Sequence, residues 1–232
     1  MKRRLLLSFI TAFTLWALPV HAGNADVFLL GFAGFDYESP DGNPGTYLAI
    51  GEGYKAVGFI TSVGPMLTPY YDTDVNEYTF YLFNLTVSAR FFDIPTQLLN
   101  IEFANNGRAR YFEDDLVGGT NAAYGVNPPN ATAPSTFNDG TLVLGGDVDQ
   151  FRLYYDFTFD QGGYSGEMTQ DEGTYFTLGY VNPLDGWTLG GLLGRPNPSV
   201  PQGYDNQLSG ECSILIDPVT KSTWGAIKRT YR

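Results

Sequence analysis

The sequence predicts an all-β protein, an antiparallel β-sandwich or jelly roll or a barrel, with about 9–11 short strands. Three observations carry that expectation. Apolar and polar residues alternate, helical spacing of apolar residues is almost missing, and turn-forming Gly, Pro, Asn and Asp recur between the alternating stretches. With 28 Gly and 14 Pro, the chain has the turn residues that many short strands require.

The N-terminal segment 1–22 reads differently. Lys2, Arg3 and Arg4 form a basic start, an apolar run extends from Leu5 to Leu18, and Val20-His21-Ala22 puts small residues where a signal peptidase reads. A secretory signal peptide is expected. A membrane anchor is the rival reading, because the run approaches spanning length. The remainder, 23–232, is expected to form a single all-β domain.

Within it, the clearest strand is 151–160. Phe151, Leu153, Tyr155, Phe157 and Phe159 share one face, and Arg152, Tyr154, Asp156, Thr158 and Asp160 lie on the other. In 79–92, Tyr81, Phe83, Leu85, Val87, Ala89 and Phe91 are expected on one face, opposite Asn84, Thr86, Ser88 and Arg90. Shorter strands are expected at 27–35, 47–51, 56–62, 98–103, 141–148, 174–181, 187–193, 213–216 and 223–227. Turns are expected at 41–45, 105–107, 138–140, 161–163 and 185–186. Two stretches rich in Gly, Pro and Asn, 118–140 and 194–210, are too irregular for strands and read as long loops.

Composition removes several chemistries. His21 is the only histidine and would leave with the signal peptide, while Cys212 is the only cysteine. Neither a Ser-His-Asp or Cys-His arrangement nor an ordinary zinc site can be built from what remains. No disulfide framework exists, and Cys212, within the alternating stretch 211–217, reads as a small buried hydrophobe. Loss of Lys2, Arg3 and Arg4 leaves ten basic residues against 25 acidic ones, a formal charge of −15. Such a surface repels nucleic acid, which is therefore not an expected partner.

Three kinds of candidate residue remain. Asp72, Asp74 and Asn76 copy the first ligand positions of a calcium loop, but Glu77 and Phe83 stand where such a loop needs Gly and Glu. A turn that satisfies backbone amides is the expected role, with calcium the only cofactor considered. Acidic clusters at Glu113-Asp114-Asp115, Asp147/Asp149 and Glu167/Asp171/Glu172 raise the option of a carboxylate pair acting on a glycan. Aromatic residues, 16% of the chain, supply Trp187, Tyr164 and Tyr204 as candidate ligand contacts.

The expected protein is therefore exported to the periplasm, cell surface or extracellular space, non-enzymatic, and a binding or structural β-domain with a glycan or envelope surface as partner. An outer-membrane β-barrel and a carboxylate-based glycan-active enzyme are the alternatives.

Overall fold

The structure is a computed structural model that describes residues 25–39, 47–116, 119, 121, 133–178, 186–194 and 199–216. Nearly all of them belong to one compact unit, Asp26–Ile216. Segment 1–22 and the strand expected at 223–227 lie outside the described residues.

Among the described residues nine strands are present: β1 (Ala25–Ser39), β2 (Gly53–Val63), β3 (Asn76–Asp93), β4 (Leu98–Phe103), β5 (Gly107–Asp115), β6 (Thr141–Asp156), β7 (Gln161–Glu172), β8 (Trp187–Leu193) and β9 (Asn206–Ile216). The only helices among the described residues are a 3-10 turn at Thr68–Tyr70, α1 (Ala133–Asn138) and α2 (Thr174–Thr177). The all-β expectation therefore holds, and of the architectures considered the barrel is the one adopted.

Closure follows from the pairing. Each strand pairs with its sequence neighbours, except that β4 and β5 do not pair with each other, and β1 pairs with β9. The lower half of β3 pairs with β5 and its upper half with β4. β6 divides in the same way, its first part with β5 and its last part with β4. β4 and β5 are thus two segments of one stave, and the barrel has eight antiparallel staves with no free edge.

The staves are longer than the sequence suggests, and in β6 the stretches 141–148 and 151–160, which read as separate strands, join through a bend. β3 runs for 18 residues and β6 for 16. Three neighbouring staves bend at one level. Asn84 in β3 and Gln150 in β6 have φ of 59° and 51°, and Ala104–Asn106 separates β4 from β5 between them. Asn105 Oδ1 accepts a hydrogen bond from the Gln150 amide at 3.0 Å, which ties this line together. Bulges of this kind let a wall curve without ending a strand.

The bulge at Asn84 corrects the expected face of β3. Below it, Tyr78, Phe80 and Leu82 point into the barrel, and Tyr81 and Phe83 point out as a stacked pair 4.7 Å apart. Above it, Leu85 and Val87 are buried as expected, but Ala89 and Phe91 are exposed. One inserted residue reverses the alternation. In β6, Phe151, Leu153 and Tyr155 are buried as expected. The strand ends at Asp156, however, so Phe157 and Phe159 sit in the turn, 41% and 70% exposed.

Other local expectations also shift. Residues 47–51 form a turn, Thr174–Thr177 is the short helix α2, and 161–163 opens β7. Glu113-Asp114-Asp115 belongs to β5. α1 interrupts the first long loop, and β9 begins inside the second.

The lumen is the core. Leu30, Phe32, Tyr54, Leu82, Phe151 and Cys212 meet there with residues from every stave. An internal cavity of only about 20 Å³ remains, room for about one water. Tyr164 crosses the inner wall over its register partners, Gly191 and then Gly210. A Cβ on either glycine would stand 2.3 Å from Tyr164 Oη, so both positions require glycine. A smaller cluster lies outside the wall, where Phe137 of α1 and Tyr204 cover Phe35, Tyr37, Val57 and Phe59.

Candidate functional site

The residues singled out in the sequence fall into unlike settings. Asp72 heads a turn: its Oδ1 accepts the Asp74 amide at 3.2 Å, and its carbonyl accepts the Asn76 amide at 3.1 Å. No metal-sized group of three or more acidic, His or Cys side chains occurs among the described residues. Trp187, Tyr164 and Tyr204 are all buried. Trp187 and Tyr164 belong to the lumen, and Tyr204 packs on Phe35 and Tyr37 at ring separations of 5.5 and 5.6 Å.

Several of the acidic residues have structural partners. Arg108 bridges Asp147 and Asp171 at 2.8 Å, and Arg110 reaches Glu172 at 2.8 Å, as a network on the outer wall. Glu113 accepts hydrogen bonds from Tyr78 and Tyr175, each at 3.0 Å, at the lower mouth. Cys212 is fully buried beside Tyr111 Oη at 3.4 Å, and burial pushes its thiol up to about 12, far from a nucleophile's range.

A carboxyl that the sequence reading passed over is the most perturbed. Asp36 lies at the upper end of β1 with no exposed surface. The Asn206 backbone amide donates to its Oδ1 at 2.7 Å, and Asn206 Nδ2 and Tyr47 Oη each donate to its Oδ2 at 3.3 Å. Burial, with help from the charge of Asp205, nonetheless raises Asp36 to about 7. Nearby Glu38 accepts the Leu48 amide at 2.6 Å and is also raised to about 7, again mainly by burial. Together these groups hold the 47–52 turn and the start of β9 against the end of β1.

Exposure picks out the same end from outside. Among the described residues, seven of the ten exposed large hydrophobic ones, Ile50, Phe91, Ile94, Tyr154, Phe157, Phe159 and Leu192, lie in or beside the upper turns. Isolated exposed hydrophobics are ordinary, and here most of those among the described residues collect at one end.

A cleft of about 710 Å³ opens there on the outer wall. Tyr154 and Phe159 supply its rings, and Asp156, Asp160, Gln161 and Gln207 supply polar edges. The Tyr154 ring lies over its register partner Gly163, where a Cβ would meet the ring at 2.6 Å. One ring face therefore rests on glycine backbone, leaving the side chain 47% exposed. Asp156 Oδ1 accepts the Thr158 and Phe159 amides at 2.8 and 3.3 Å, which fixes the turn that carries Phe159. Alternation alone places Tyr154 on the outer face, and Gly163 beneath it becomes legible only when the β6–β7 register is known.

No family model matches the chain, and neither a curated protein nor a solved structure does.

Proposed function

We propose that the chain is an exported, non-enzymatic binding barrel that takes carbohydrate on the Tyr154–Phe159 cleft. The observation that carries this reading is the Tyr154 ring, held flat on Gly163 and open to solvent among carboxylates and amides. A sugar ring has an apolar face and a hydroxyl edge, and this cleft matches both.

The direction of the staves supports a barrel surrounded by water. Phe151, Leu153 and Tyr155 face the lumen while Arg152 faces out, and Gln161, Ser165, Glu167, Thr169 and Asp171 are the exposed positions of β7. A membrane barrel needs the reverse pattern, with an apolar outer band. A binding role is favoured over catalysis because Asp156, one of the two cleft carboxylates, braces the turn backbone, and Asp36 is sealed from the cleft.

Retention of wild-type protein on an array of immobilised neutral glycans tests the reading. Tyr154→Ala is expected to weaken retention by at least about tenfold, or about 1.4 kcal/mol. It should change folding stability by less than about 1 kcal/mol, as for most surface substitutions. Equal retention of both proteins, or retention of neither, would overturn the assignment. Export follows from the basic-apolar-small pattern of 1–22. Sequencing of the exported protein should begin at Gly23, and a retained Met1 would exclude cleavage.

A further inference from the structure

The Tyr154 cleft does not end at the upper turns. A second depression of about 730 Å³ runs down the outer wall along β8, β9 and β1, and the two share Leu192 and Ser209 in their linings. From Gly194 to Thr188 the path follows six residue steps of β8, roughly 20 Å at about 3.3 Å per residue. Its floor is Gly190, Gly191 and Gly210, and hydroxyls of Thr188, Ser209 and Ser213 stand along it. Phe32 and Leu189, which face the lumen, also line it, because no outward side chain covers the glycines. Directly behind this floor lies Tyr164 Oη, buried and without a hydrogen-bond partner, with its end against Gly191 and Gly210. A buried hydroxyl without a partner is uncommon.

On the carbohydrate reading of the cleft, on which this step rests, we infer that the site takes an extended neutral glycan chain, not a single terminal sugar. The chain lies along β8 and β9, one unit stacked on Tyr154 and the following units over the glycine floor. Three observations select this occupant. The trough is several times longer than one sugar ring. Its wall belongs to a closed barrel in which β8 pairs along its length with β7 and β9, so an extended peptide finds no strand edge to extend. Charge excludes an acidic polymer: Asp156, Asp160 and Glu211 line the path, and no Lys or Arg does among the described residues.

Gly190 gives a clean block. A Cβ there would meet only the Tyr164 carbonyl oxygen, at 3.6 Å, so Gly190→Trp fills the trough without disturbing the wall. Cello-, laminari- and chito-oligosaccharides from mono- to hexasaccharide, titrated calorimetrically against the full chain, test the inference. In the series that binds, wild-type affinity is expected to rise at least about tenfold from di- to hexasaccharide. Gly190→Trp should abolish that rise while leaving disaccharide affinity within about twofold, or roughly 0.4 kcal/mol. Tyr154→Ala should weaken every length. Thermal melts report whether Gly190→Trp is folded, and Glu211→Trp, at an exposed β9 position that lines the trough but not the cleft, serves as the second block. Affinity independent of length, or hexasaccharide binding by both blocked variants equal to wild type, overturns the extended chain and leaves the cleft standing. Failure of every series to bind removes the cleft reading and this inference together.

Discussion

Raising the pH from about 5 to 8 is expected to lower the stability of this protein, and Asp36→Asn to remove most of that slope. The folded-state carboxyl of Asp36 sits at about 7 against an ordinary 3.8. Between those values the folded chain holds a proton that the unfolded chain has released. The stability that this proton contributes is fully present below about 4 and is lost as pH rises through about 7. For a carboxyl with no exposed surface the full difference is on the order of 4 kcal/mol, of which the window from pH 5 to 8 reads roughly 3 kcal/mol. Glu38 acts in the same direction, and its partial exposure makes its share smaller. General repulsion in a chain of formal charge −12 has the same sign, so the substitution is the discriminating arm. In Asp36→Asn, the amide oxygen can keep the Asn206 backbone bond, and the amide nitrogen can donate to Tyr47 Oη. Urea melts at pH 5 and pH 8 on both proteins decide the matter. A wild type that gains stability with pH, or a variant with an unchanged slope, would rule out Asp36 as the controlling group.

Phe151→Ala is expected to cost about 3–5 kcal/mol, and Phe157→Ala, six residues later in the same alternating run, to cost about 1 kcal/mol. Phe151 is 1% exposed and packs against Phe103, Tyr54 and Tyr164 at ring separations of 5.2, 5.8 and 5.9 Å. The spare volume beside it is about 20 Å³, so little slack exists to absorb a lost ring. Phe157 touches Tyr155 and Phe92 from the turn, at 5.0 and 5.8 Å, and keeps much of its surface in water. Denaturant unfolding of both variants measures the contrast. Equal costs would mean that the upper turn is covered and that the lumen at Phe151 can collapse.

That contrast marks how far the sequence could be read. Tyr155 and Phe157 look equivalent in the alternating pattern. They differ because β6 stops at Asp156, whose carboxylate holds the turn amides of Thr158 and Phe159. The candidate site divides in the same way. Tyr154 is an outward position on any strand reading of 151–160, but its value as a platform depends on Gly163 across the ladder.

Local composition determined the all-β class, the inward direction of Phe151, Leu153 and Tyr155, the burial of Cys212 and the absence of histidine chemistry from the chain beyond residue 22. Each depends on residue type and on the two-residue period of a strand, which any short window contains. The tertiary structure alone decided the rest. The Asn84 bulge reversed the faces of β3, closure turned the candidate ligand residues Trp187 and Tyr164 into lumen filling, and Asp36 met Asn206 from 170 positions away. Burial is a property of what covers a face, and here the cover comes from strands distant in the chain whose register a single inserted residue can shift.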